Sequence, residues 1–352
     1  MGSAPSDPSS GDWPILVVNT RSNDVSFIDP AIDEVVDVLR IGDGPRDAAW
    51  SPTTKRVFVA LGETGEVAVI DPTARAVVAT VAVGSRPLHV YHHLKRPEVW
   101  VGNDNSATIS VLDDRSGEVV ATIPVGDGHH KVAFTPDGRF AFATNIRSSD
   151  VTMIDVIRHA AIRSIAVGRA PHGIAATADG RHVLVANNGD QALTVIAADR
   201  GEVVDEIACP RPNYVGISPD GRQAWVVCAT DQVAVVDAAT MQVVETIPVG
   251  QAPDRVVFAP DGRAAFVNNT HSDSVTVIDP TTLRVTRTVE VEAGGSHQGM
   301  VFDASGARLY VANFVAGSVS VLGARDPRVI KRLDVGRGPA AIIRLTPEPL
   351  PH

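Results

Sequence analysis

Eleven histidines are spread through 352 residues, and five of them fall in eight three-residue windows where an apolar run opens after a loop. The windows read Pro45-Arg46-Asp47, Pro87-Leu88-His89, His129-His130-Lys131, Pro171-His172-Gly173, Pro212-Asn213-Tyr214, Pro253-Asp254-Arg255, His297-Gln298-Gly299 and Pro339-Ala340-Ala341. Chance placement would put fewer than one histidine there. Imidazoles converging from separate segments suit copper, zinc, nickel or iron, whereas calcium or magnesium would want more carboxylates. His89, His129, His130, His172 and His297 are therefore the candidate metal ligands, with copper or zinc favoured. His129 and His130 are alternatives, because neighbouring strand residues point oppositely. Such binding should weaken as pH falls through the imidazole range near ~6.5, since a protonated ring cannot ligate. Arg46, Asp47, Asn213, Tyr214, Asp254, Arg255, His271 and Gln298 would line a pocket for an organic ligand. The structural alternative is a solvated polar ring whose histidines hydrogen-bond loop carbonyls.

The elements that position these windows form a repeat. Asp-terminated segments recur as DVSFID (24–29), EVAVID (66–71), TISVLD (108–113), DVTMID (150–155), ALTVIA (192–197), QVAVVD (232–237), SVTVID (274–279) and SVSVLG (318–323), spaced by 42, 42, 42, 42, 40, 42 and 44 residues. Each copy holds four short apolar runs, named A to D: a window-opened run such as VAFTPDG (132–138), a second such as FAFATN (140–145), the Asp-terminated run, and a fourth such as EVVATIPVG (118–126). Pro-Asp-Gly is tight-turn chemistry, and runs of five to seven β-branched residues between such turns read as antiparallel strands. A four-stranded unit apolar on both faces cannot stand alone, and radial stacking of such units is the propeller solution. The expected fold is an all-β, eight-bladed propeller over 14–346, with 1–13 a disordered lead and 347–352 a tail. Residues 14–19 match run B, so Ala340–Leu345 should supply the missing strand A beside the N-terminal strands and hide both edges.

The B runs VVNT (17–20), Phe142-Ala143-Thr144-Asn145, LVAN (184–187) and LYVAN (309–313) resemble the YVTN family of β-propeller repeats over residues 15–345. That resemblance implies the fold and leaves the activity open. Gly128-His129-His130 is similar to the His-His element of nitrous oxide reductase propellers, which holds a copper cluster. The blade count resembles the haem d1 domain of cytochrome cd1, which implies a haem-type cofactor served by axial and distal histidines. Together they imply metal-dependent redox or lyase chemistry, if the protein is an enzyme. The alternatives are a non-catalytic scaffold binding a ligand, or a protein on its rim, and a lactonase-like hydrolase, which would want axial carboxylates where only Asp47 and Asp254 offer themselves.

A formal net charge of −10, with basic residues scattered singly, argues against a nucleic-acid partner. No run approaches the ~20 apolar residues of a membrane helix. HExxH, CxxC, P-loop and GxSxG motifs are absent. The Asp residues closing run C (Asp29, Asp71, Asp113, Asp155, Asp237, Asp279) repeat too regularly for a site and read as turn formers. His92, His93, His159 and His182 lie off the windows and carry no expected role. The sequence as given opens without a charged segment followed by an apolar one, as expected of a cytoplasmic protein or of an exported one without its leader. Cys209 and Cys228 fall within one repeat, where a disulfide or two reduced thiols are both open.

Overall fold

The computed structural model describes residues 14–292 and 295–346, with side chains throughout except at 295–298. The expected lead at 1–13 and tail at 347–352 lie outside the described residues. Among the described residues there are 32 strands and no helix, so no helix is long and apolar enough to cross a membrane. The strands form eight four-stranded antiparallel blades, each running A to D from the axis outward. Burial follows that order: in blade 3, strand B (Glu98–Asn103) is buried throughout, whereas strand D (Val119–Pro124) is mostly exposed.

The core lies between blades rather than within them. One apolar cluster joins Leu16, Val18 and Phe27 of blade 1 to Trp50, Val57 and Val59 of blade 2, and comparable clusters join the later neighbours. Blade 1 is composite, as expected from the ends of the chain. The C-terminal strand Pro339–Arg344 pairs antiparallel with Ile15–Asn19, Leu16 facing Ile343 and Val17 facing Ile342. Two contacts fasten the seam. Trp50 Nε1 donates to Thr346 O at 2.5 Å, and the Tyr310 hydroxyl of blade 8 donates to Asp33 of blade 1, beside an Arg308–Pro30 O bond of 2.6 Å.

A repeated polar clasp fixes the loops. In six blades strand B ends on Asn19, Asn103, Asn145, Asn187, Asn269 or Asn313. Its amide donates to the residue seven positions on: Ser26, Ser110, Thr152, Thr194, Thr276 and Ser320. The residue after strand B then donates its backbone N–H to the D-to-A crossover, as Ile146 does to Gly128 O at 2.8 Å and Asn188 to Ala170 O at 3.1 Å. The Asp residues closing strand C accept turn N–H groups, as expected: Asp113 from Arg115 and Ser116, and Asp279 from Thr281 and Thr282.

Deleting residues 339–352 should expose the edge of Ile15–Asn19 and remove the acceptor of Trp50. The truncated chain is expected to aggregate on expression and to scatter light well below the parent's thermal midpoint. Equal solubility and an equal midpoint would contradict the role given to this seam.

Candidate functional site

In seven blades strand A opens with a one-residue bulge: the pairing register shifts, for example, between Pro45 and Ala48, His129 and Val132, Pro171 and Ile174, and Pro212 and Tyr214. A bulge re-aims side chains. The residues one and two places past the crossover position therefore meet across neighbouring blades, where strict alternation would separate them. One set is His130, His172, Asn213 and Asp254; the other is Asp47, His89, Lys131, Tyr214 and Arg255. Gly173 interrupts the second set, because a Cβ there would come within 2.6 Å of Asn213 O.

Three imidazoles stand side by side in this arrangement. The His89 and His130 rings are 4.9 Å apart between centroids, and those of His130 and His172 are 3.9 Å apart. His172 Nδ1 donates to Asn213 O at 3.1 Å, which makes Nε2 the lone-pair nitrogen of the neutral ring. His89 Nδ1 lies 3.2 Å from Asp47 Oδ2 and 3.4 Å from Lys131 Nζ. It donates to the first or accepts from the second according to where the shared proton sits. His130 Nδ1 is buried with no hydrogen-bond partner among the described residues. On the far side Asn213 donates to Asp254 at 3.2 Å, and the Arg255 guanidinium lies 5.3 Å over the Tyr214 ring.

Burial governs the electrostatics. It pushes His89 and His130 well below the usual imidazole range, helped by the Lys131 charge and by neighbouring rings, so both are neutral at pH 7. It also lowers Lys131 to about 8, against the attraction of Asp47, and raises Asp47. Burial alone would lower Arg255; Tyr214, Asp47 and Asp254 outweigh it and raise the group. The expected loss of ligation near ~6.5 therefore moves to lower pH for His89 and His130.

The remaining predicted residues separate from this cluster. His129 occupies the position that proline holds in six other repeats, facing Asn145 as Pro171 faces Asn187, and its ring packs on Gly102 in the joint between blades 3 and 4. Arg46 is exposed and lies along Gly62, and His271 is exposed on a B-to-C loop. In blade 8, Gly295 rather than His297 faces Asn313, so two extra residues stand before the strand resumes at Met300. Gln298 pairs through its backbone with Ala341 of blade 1, and the side chains of His297 and Gln298 lie outside the described residues. Among the described residues, no three His, Cys, Asp or Glu side chains are placed to hold one metal ion.

Sequence reading missed two features. The axial role of Lys131 and Tyr91 is one: Lys131 contacts His89, and the Tyr91 hydroxyl accepts from Val132 N at 3.2 Å. Lys131 was present in the third window, and its adjacency to His129 and His130 was the available signal. The other is a buried joint on the opposite loops, where Asp114 Oδ2 accepts from Ser51 Oγ at 2.6 Å and lies 3.1 Å from His92 Nε2.

A model of the family described as YNCE-like beta-propeller matches residues 88–179, 174–257 and 227–298, together more than half of the chain. No curated protein sequence matches it significantly. Three solved structures show the fold. Dihydro-heme d1 dehydrogenase NirN, in complex with DHE, is 19% identical over 98% of this chain and 78% of its own, with a TM-score of 0.81. AztD of Citrobacter koseri is 14% identical over 97% and 100%, with a TM-score of 0.71. Hydrazine synthase of Kuenenia stuttgartiensis is 24% identical over 72% and 88%, with a TM-score of 0.61.

A pH dependence of stability follows from His129, which burial holds at about 4 against 6.5 for the free side chain. Between those values the unfolded chain binds a proton that the folded chain refuses. Stability therefore rises with pH through the window and is lost as pH falls from about 6.5 towards 4. One such group contributes at most roughly 3 kcal/mol, and His89 and His130 act in the same direction. Denaturant unfolding at pH 7 and pH 4.5 should show the loss, and His129→Gln should reduce the difference between the two. An unchanged pH dependence in that variant would overturn the assignment.

Proposed function

The chain belongs to the YNCE-like β-propeller family, and on that premise we propose that it binds a metal-containing cofactor in its axial pocket, with the histidines of blades 3 to 5 serving the metal. The anchoring of the rings carries this reading. A metal-ligating histidine characteristically donates its other ring N–H to a carbonyl or carboxylate, which orients the ring and fixes the tautomer. His172 has such a bond to Asn213 O, and His89 has the matching contact with Asp47. Between them the buried His130 Nδ1 has no hydrogen-bond partner among the described residues.

The donor set suits a metal that arrives inside a macrocycle better than a bare ion. A zinc or copper ion held by protein alone wants three or four donors around one point, and the described residues do not assemble them. A haem-type group needs only one or two axial imidazoles. NirN, a distant likeness in sequence whose structure is a complex with DHE, is in keeping with this class of ligand. Lys131 and Arg255 would hold carboxylates of such a ligand, and Arg255 Nε is buried without a hydrogen-bond partner among the described residues. The cofactor would supply redox or Lewis-acid chemistry. This chain's residues would orient it, and Lys131, lowered to about 8 beside His89 and Asp47, would hold or release a proton near neutral pH.

The test is titration of the full chain with haem, followed by the Soret band. Parent protein should bind with a shifted band, and His130→Ala/His172→Ala should bind at least tenfold more weakly while keeping the parent's circular dichroism. Lys131→Met should weaken binding and leave the band position unchanged. Because burial holds His89 and His130 below the usual imidazole range, binding should weaken only at a pH below the ~6.5 of a free imidazole. Equal affinity in the double variant, or no binding by the parent, would refute the proposal. The latter result would favour the second reading, a scaffold whose apolar perimeter meets a protein partner; the outward Val120, Ile162, Val204 and Val244 of blades 3 to 6 offer such a surface.

A further inference from the structure

The eight repeats serve as one another's controls, and the joint between blades 5 and 6 departs from them at two positions that touch. Where strand D gives way to the crossover, the other blades carry Ile41, Val83, Val125, Val167, Val249, Val291 or Val335; blade 5, on the crossover into blade 6, carries Cys209, whose N–H still makes the bond to the B-to-C loop (Gln191 O, 3.0 Å) that Val125 and Val249 make. Where strand B ends, six blades carry the clasp asparagine and blade 2 carries Leu61; blade 6 carries Cys228, paired with Pro212 as Asn187 is with Pro171. Both flanking loops are one residue shorter than in blade 5, which accounts for the 40-residue spacing. The loop glycine that packs on the asparagine elsewhere, as Gly168 packs on Asn187, is lost with it. In place of that contact the two sulfurs lie 3.1 Å apart, and both residues are buried.

We infer that Cys209 and Cys228 are a redox site, forming a disulfide that staples the shortened crossover of blade 6 to the end of strand B. The reaction is thiol–disulfide exchange with a small-molecule disulfide such as oxidised glutathione. One protein thiolate attacks a glutathione sulfur, forming a mixed disulfide and expelling a glutathione thiolate. The second protein thiolate attacks the protein sulfur of that mixed disulfide and expels the other glutathione. Two protein thiols are oxidised, one glutathione disulfide is reduced to two thiols, and the two protons given up by the protein thiols end on the expelled glutathione thiolates. Burial of both sulfurs places the exchange during folding, before the core of blades 5 and 6 closes over them. The staple holds Pro212-Asn213, whose Asn213 carbonyl orients His172.

Refolding the full chain in a glutathione redox buffer tests this. The refolded protein, alkylated and then unfolded without reductant, should show no titratable thiol, a mass lower by two hydrogens and a proteolytic fragment joining the two cysteines. Its denaturation midpoint should fall when reductant is added. Cys209→Val/Cys228→Asn, which restores the residues of the other repeats, should fold and have a midpoint indifferent to reductant. Two free thiols, or glutathione left on either cysteine, would overturn the inference, as would a reductant-sensitive midpoint in the double variant.

Discussion

Each blade buries its two faces only against its neighbours, and this constraint sets everything else in the molecule. The apolar clusters straddle blade boundaries, so a blade without both neighbours would expose Leu, Val and Phe side chains that are fully buried in the ring. The ring must therefore close. Closure is non-local: the strand at Pro339–Arg344 pairs with the one at Ile15–Asn19, and Trp50 reaches Thr346. Closure also forces eight strand openings onto one axis, so any polar residue placed there meets others from distant parts of the sequence.

What meets there is a nearly balanced set. Asp47 and Asp254 face Lys131 and Arg255, with three imidazoles between them. A buried charge is tolerated when it is paired and hydrogen-bonded, and this balance lets ionisable groups sit in the channel without unfolding it. His89 and His130 have no carboxylate of their own beyond Asp47, so burial holds both neutral at pH 7. His172, anchored on Asn213 O, has the fixed ring orientation that a solvated polar lining lacks. Gly173 contributes by absence, since any side chain there would push away the Asn213 carbonyl that orients His172.

The fold was legible because its signals are short-range and repeated. Asp-terminated strands at a 42-residue spacing gave the blade count, and the Gly-Pro before Ala340 gave the closing strand. The candidate site was legible in position and not in detail. The crossover windows did locate His89, His130, His172, Asn213, Tyr214, Asp254 and Arg255 at the axis. The bulge that lets His130 and Lys131 share that axis leaves no composition signal, and alternation set only His129 against His130. His129 could have been set aside from its alignment with the crossover prolines. The Ser51–Asp114–His92 joint was beyond reach, because Ser51 and Asp114 lie 63 residues apart and only blade packing brings them together.

In a repeat protein the common pattern reports the scaffold, and function is written in the departures from it. The asparagine clasp, the Asp turn and the crossover proline recur because every blade needs the same loops held in the same way. Positions relieved of that duty are free to differ. In blade 4 the crossover proline becomes His129 and the next two residues become His130 and Lys131; in blade 5 they become His172 and Gly173; in blade 6 the clasp itself becomes a thiol. These departures occupy three consecutive blades on one side of the channel, and direct contacts link them: His130 to His172, His172 to Asn213, and Cys209 to Cys228 beside it. Departures elsewhere stand apart from this set: blade 2 ends strand B on Leu61, and blade 8 opens strand A on Gly295 with two extra residues before Met300. The set in blades 4 to 6 differs from those in bringing imidazole rings into contact with one another and thiols into contact with one another.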